Sequence, residues 1–167
     1  MLIDPPFKLI DIDDHHAKAT AFDMILIVWK KETQASAYQR LITLVTEMGA
    51  RHPEGIGVLQ VVETSAAPPN EAARKVFQDA LDVCDKYVKH HSVVHDGTGF
   101  KAASVRAIMM GVYMVRQPKF EHLVANSLQK AAQWHEAEQR KLGKTQAAEH
   151  IVRSVQMLRD MLAGRPD

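Results

Sequence analysis

Nine histidines and one cysteine are the residues of this chain most able to bind a metal or attack an electrophile. His90, His91 and His95 form the densest group. If Ser92 to His95 is a strand, His91 and His95 share a face but lie roughly 13 Å apart, at about 3.3 Å per residue. A tetrahedral ion holds nitrogen ligands at about 2.0–2.1 Å, so the two cannot readily serve one ion. His15-His16 and His135-Glu136 lack the spacing of a known motif, and no metal or other cofactor is expected. Cys84 falls on the inward stripe of a helix, the place of a buried inert thiol rather than a nucleophile. No P-loop, GxSxG, HExxH or CxxC pattern occurs, no catalytic residue is nominated, and the expectation is a protein that is not an enzyme. The turn Gly97-Thr98-Gly99 precedes a helix whose first N–H groups could receive an anion. It lacks the third glycine of a dinucleotide fingerprint and the Gly-Lys-Ser/Thr of a P-loop, so the plainer reading is a tight turn. Met109, Met110 and Met114 read as core and groove filling, although methionine-rich surfaces also suit adaptable partners.

The elements that must position these residues follow from the punctuation and the hydrophobic period. Phe7 to about Phe22 is β-like but irregular, one or two strands. Met24 to Trp29 is apolar on both faces, as in a strand covered on two sides. A helix follows over about Gln34 to Met48, with Thr33 as N-cap and Gly49 as stop. Ile56 to Val62 reads as a second central strand. After Pro68-Pro69 a helix carries Ala73, Val76, Phe77, Ala80, Leu81, Cys84, Tyr87 and Val88 at three- and four-residue steps. Ser92 to His95 is a short strand, Lys101 to Arg116 a helix stopped by Pro118, and Phe120 to Ala125 an edge strand. Asn126 with Gln129 forms a capping box opening a helix to about Arg140, and a last helix spans about Thr145 to Leu162. Strands alternating with helices imply an α/β fold, a sheet of about five strands, largely parallel, joined by right-handed βαβ crossovers.

Composition narrows the function classes. With 167 residues, 46% hydrophobic and 25% charged, the chain has the size and make-up of one globular domain. Its 21 Lys and Arg against 20 Asp and Glu leave a net charge of +1. The basic residues are scattered among acids, so a nucleic-acid partner is not expected. The longest apolar run, Met24 to Trp29, is far short of a membrane span, and Met1 to Pro6 does not read as a secretory leader. A single cysteine cannot make an internal disulfide. The expectation is a cytoplasmic protein that contacts no membrane.

The order β(β)–α–β–α–β–α–β–α resembles the STAS superfamily and, within it, the SpoIIAA-like, anti-sigma-factor-antagonist-like proteins. Three stretches carry the likeness: Leu26 to Thr33 leading to Tyr38-Gln39-Arg40-Leu41, the strand and turn Val93 to Phe100, and Leu123 to Leu128 followed by Ala131-Ala132-Gln133-Trp134, similar to the family's Ala-x-x-Trp ending. It covers residues 7–141 as one domain. Residues 144–163 form a helical extension outside it, with 1–6 and 164–167 flexible. The resemblance implies a regulatory module acting through contact with another protein, without catalysis. The antagonist branch is phosphorylated in an Asp-Ser-Ser-Gly-Leu type junction after the third strand. Here that junction reads Glu63-Thr64-Ser65-Ala66-Ala67-Pro68, and the similar Asp96-Gly97-Thr98-Gly99-Phe100 comes one unit later. Thr64, Ser65 and Thr98 are therefore only candidates for modification. The alternative reading is a small apolar-ligand-binding domain with a cavity between sheet and helices.

In open parallel sheets, partners and ligands meet the carboxyl ends of the strands. Those ends supply Lys30 and Lys31, then Glu63, Thr64 and Ser65, then His95, Asp96 and Thr98, and finally Asn126, a polar rim of both charge signs. The last helix has an apolar stripe, Ile151, Val155, Leu158 and Leu162, that something must cover. The short Leu142-Gly143-Lys144 link would let the chain's own domain cover it, and a second copy would cover it equally well; the second copy is the expected cover, making the protein a homodimer.

Overall fold

The computed structural model describes residues 6–165. Of the ends expected to be flexible, residues 1–5 and 166–167 lie outside the described residues. The chain opens with a hairpin of β1 (Phe7–Ile12) and β2 (His16–Ala21), continued by β3 (Met24–Trp29). Then α1 (Ala35–Arg51), β4 (Ile56–Val62), α2 (Glu71–Tyr87), β5 (Val88–Val94), α3 (Gly99–Arg116) and β6 (Glu121–Ala125) follow in alternation. Two helices close the described chain, α4 (Leu128–Lys141) and α5 (Ala148–Ala163). The class is α/β. The sheet has six strands in the order β1-β2-β3-β4-β5-β6, one more than expected, and it is mixed. β1, β2 and β3 pair antiparallel, while β3 through β6 pair parallel.

Side-chain alternation sorts the strands onto two helical layers. Ile25, Ile27, Trp29, Val58 and Val93 face α1, α2 and α3. Leu26, Val28, Leu59, Val61 and Val94 face α4 and α5. On β2 the second face is Ala17, Ala19 and Ala21, and these small side chains leave a channel into which α5 lowers Ile151, Val155 and Leu158. This corrects the expected dimer helix. Ile151, Val155, Leu158 and Leu162 are buried against the chain's own sheet. The loop 142–144 reverses the chain tightly enough, with Gly143 at φ +73° where a side chain would be strained, to lay α5 back beside α4. Of the two covers the sequence allowed, it is the chain's own sheet, not a second copy, that takes the stripe.

Smaller departures have equally local causes. β5 runs for seven residues rather than four, because His90 and His91 find hydrogen-bond partners inside the fold. Gln34, not Thr33, occupies the N-cap of α1. Ser127, not Asn126, caps α4 by accepting from Lys130 N at 3.2 Å. α5 starts three residues late, at Ala148, whose N–H donates to Glu136 Oε2 at 2.9 Å.

Because α5 is a layer of the core, Leu158→Ala is expected to cost about 2–5 kcal/mol in urea denaturation, the usual toll of emptying a packed site. The same measurement on Met161→Ala, one turn away but partly exposed, should show little change. Equal losses at the two positions would contradict this packing.

Candidate functional site

The expected rim does assemble at the carboxyl ends of β3, β4 and β5. Its members, however, are tied to one another. Arg159 of α5 reaches over the sheet edge, donating to Glu63 Oε2 at 3.3 Å and Asp96 Oδ2 at 3.2 Å. Ser65 Oγ donates to the Lys30 carbonyl at 2.6 Å, and the Lys31 N–H donates to the His15 carbonyl at 3.1 Å. His95 is buried, and its Nδ1–H donates to the Val62 carbonyl at 2.8 Å. Arg106 donates to the carbonyls of His95 and Gly97 at 2.9 and 3.1 Å, and Gly99 has φ +83°, so the glycine turn is held as a strand-to-helix corner. Thr64, Ser65 and Thr98 are exposed. Lys30, Glu63, Thr64, Ser65 and Arg159 border a shallow cavity of about 270 Å³. Asn126 is not part of it and instead takes Lys130 Nζ at 3.0 Å in a separate groove. Arg159 was invisible to sequence reasoning, since its partners lie 96 and 63 residues away.

The histidines form internal ties. Trp29 Nε1–H donates to Gln60 Oε1 at 3.0 Å. An indole can only donate, so the Gln60 amide must turn its nitrogen to His91 Nε2, also at 3.0 Å. His91 Nε2 therefore accepts, and its Nδ1–H points to Tyr113 Oη on α3. A second proton on His91 would set N–H against N–H. Burial lowers its pKa to about 3. On the opposite face His90 and His135 meet through their Nδ1 atoms at 2.6 Å, and Ser92 Oγ meets His135 Nε2 at 2.7 Å. Burial holds His90 down to about 4 and His135 well below the ordinary histidine range. Gly57 makes room for this pair, since a Cβ there would lie 2.3 Å from His90 Cε1. Among the described residues no group of three or more His, Cys, Asp or Glu side chains could hold a metal ion. Burial pushes the Cys84 thiol up to about 12, which leaves it protonated and unreactive.

A third polar cluster joins the hairpin to α1. Lys18 is 1% exposed and places Nζ 3.2 Å from Asp11 Oδ2, and Arg40 Nε donates to the same oxygen at 3.0 Å. Burial lowers the Lys18 pKa, against the pull of Asp11. This buried lysine also anchors α1 through the Ala37 carbonyl at 3.4 Å.

Apart from Lys101, the side chains that α3 leaves exposed are apolar. Phe100 is 90% exposed, Met110 53% and Met114 73%. With Ala103 and Ala107, also exposed, they form one seam at steps of three, four, three and four residues. Of the three methionines read as core and groove filling, Met109 enters the core, while Met110 and Met114 stay exposed beside a groove. Beside the seam, Met110, Met114, Tyr113, His122 and Leu123 line a groove of about 620 Å³ between α3 and the edge strand β6. The three–four spacing was legible in the sequence. It was masked by the second apolar face of the same helix.

No helix among the described residues is long and apolar enough to cross a membrane. No family model matches the chain, and no curated protein or solved structure matches it either.

The buried rings fix a pH dependence. Above about pH 6.5 histidine is neutral in the folded and the unfolded chain alike. Below it the unfolded chain takes up protons that folded His90 and His91 refuse until about pH 4 and 3. Stability is therefore complete above pH 6.5 and declines on acidification, by up to ~1.4 kcal/mol per pH unit for each ring. Urea midpoints measured from pH 8 to pH 5 should be flat and then fall, and His135→Gln should reduce the fall. A midpoint independent of pH across that window would contradict the assignment.

Proposed function

We propose that this chain is a non-enzymatic interaction module that docks an amphipathic helix of another protein, apolar along one seam and acidic on its flanks, onto α3. The observation that carries the reading is the exposed seam Phe100, Ala103, Ala107, Met110 and Met114. A three–four repeat of apolar residues is the pattern one helix presents to another. Alanines in its middle allow close approach, and methionines at its end adapt to varied partners. Exposed apolar area of this kind marks contact surfaces.

Charge selects the occupant. α3 carries no Asp or Glu; Arg106 is held by the His95 and Gly97 carbonyls and Arg116 is paired with Asp79 and Asp82 of α2, which leaves the argument to Lys101 near the start of the helix and Lys130 at the near end of the groove beyond it. A second copy of α3 would set cations against cations, whereas a helix with flanking carboxylates would be attracted and oriented. The reading agrees with the resemblance to STAS-like regulators, which act through protein contact. The rim supports it from the other side, because Glu63, Asp96, Ser65 and His95 are already engaged.

The test is a synthetic helical peptide with leucines along one seam and glutamates on both flanks, titrated into methyl-labelled protein. The Met110 and Met114 methyl signals should shift, and Met114→Asp should weaken binding at least tenfold, about 1.4 kcal/mol. Equal binding of a lysine-flanked peptide would overturn the charge argument. A dimer in light scattering that Met114→Asp dissociates would assign the seam to a second copy and overturn the proposal.

A further inference from the structure

β6 is an edge strand, and among the described residues no strand pairs with its outer side. The Ala125 carbonyl accepts from His95 N at 3.0 Å, so Ala125 turns its main chain toward β5. That direction alternates along a strand, and the parallel register with β5 is unbroken from Glu121 to Ala125. His122 and Val124 therefore each turn an N–H and a C=O to the outside. We infer that this edge takes an extended peptide ending in its own free carboxylate, added parallel to β6 as a further strand. The inference stands apart from the docking of a helix on α3.

Two cavities lie along the edge. The groove of about 620 Å³ beside Met110, Tyr113 and Met114 continues into a second, of about 330 Å³, at the carboxyl end of β6. Met110, Leu123 and Val124 border both. Leu123 and Val124 belong to opposite faces of the sheet, so the trough runs along the open edge rather than over one face. An apolar molecule lying there would strip water from the outward groups of His122 and Val124 and return no hydrogen bond. A peptide strand returns those bonds, and its alternate side chains enter the groove. One wall is fixed beforehand, because Tyr113 is buried, its hydroxyl meets His91, and the His122 ring stacks on it at 4.4 Å. Five residues of strand, about 16 Å, match the length of β6.

Charge sets the direction. No Asp or Glu lines either cavity. At the carboxyl end of β6, Lys130 Nζ donates to Asn126 Oδ1 at 3.0 Å, and Arg106 spends Nη1 on the carbonyls of His95 and Gly97. All three oxygens are neutral, so neither positive charge is cancelled. Parallel addition delivers a terminal carboxylate to this end, whereas antiparallel addition would deliver an amino terminus. A second copy is the poorer occupant. Its own β6 would carry His122 rather than an apolar side chain into the groove, and that strand ends in no carboxylate.

The probe is the pentapeptide acetyl-Lys-Thr-Val-Thr-Val with a free carboxyl terminus, titrated into the nitrogen-15-labelled full chain. The His122 and Val124 N–H signals should move and exchange more slowly with solvent. The same peptide as its carboxamide should bind at least tenfold more weakly, and Lys130→Gln, an exposed change, should shrink that difference. Strand addition also predicts an alternation. Of two peptides N-methylated at the valines or at the threonines, one should bind like the parent and the other at least tenfold more weakly, because only one set of N–H groups faces β6. His122→Pro should abolish binding and leave the protein folded, since proline is tolerated where an edge N–H faces outward. This probe reads β6, whereas a helix on the seam reads Phe100 and Ala103, so either reading can fail alone. Unmoved His122 and Val124 signals at millimolar peptide would overturn the inference. So would equal binding of the carboxamide, equal binding of the two N-methylated peptides, or a dimer in light scattering that His122→Pro dissociates.

Discussion

The hydrogen-bond chain from Trp29 through Gln60 and His91 to Tyr113 crosses β3, β4 and β5 and ends on α3. It exists because the central strands are covered on both faces. A polar side chain on such a strand has no water to turn to, and leaving it unpaired would cost a large fraction of a domain's net stability. Each link also fixes the next, since the indole can only donate and the order of donors runs outward from it. The aromatic rings of Trp29, Tyr38 and Phe77 pack beside the chain at 5.1 and 5.3 Å. Tyr113 is thereby pinned to the sheet, and with it the rotation of α3 about its own axis. The outward direction of Met110 and Met114 is a consequence of that anchor.

The same covering explains how much of the molecule could be read in advance. β3 and β4 are apolar at nearly every position, and α1 and α2 show clear stripes, so their places follow from the sequence. β5 did not announce its first half, because Lys89, His90 and His91 look like a loop until their partners on other elements are known. The caps shifted by a residue for a related reason. Ser127 and Asn126 are equally good caps on paper, and only the path of the chain out of β6 chooses between them. α5 was legible as an amphipathic helix. Its occupant was not, because the feature that receives it is an absence of bulk at Ala17, Ala19 and Ala21 on a strand more than 120 residues earlier.

The candidate sites divide along the same line. The rim residues lie at the strand ends, and Arg159 turns two of their carboxylates into a clasp holding α5 against the sheet. Polar residues that sequence spacing offers for chemistry are here largely committed to holding layers together. What stays uncommitted is the apolar seam on the outside of α3, the surface we propose for a partner helix.

The central claim is that His91 is a neutral, directional link between the sheet and α3. Nitrogen-15 NMR of the imidazole rings tests it most directly, by reading tautomer and charge on each nitrogen from pH 5 to pH 8. The account predicts a His91 ring protonated at Nδ1 alone, with no titration across that range. A proton on Nε2, or a titration near pH 6.5, would contradict it.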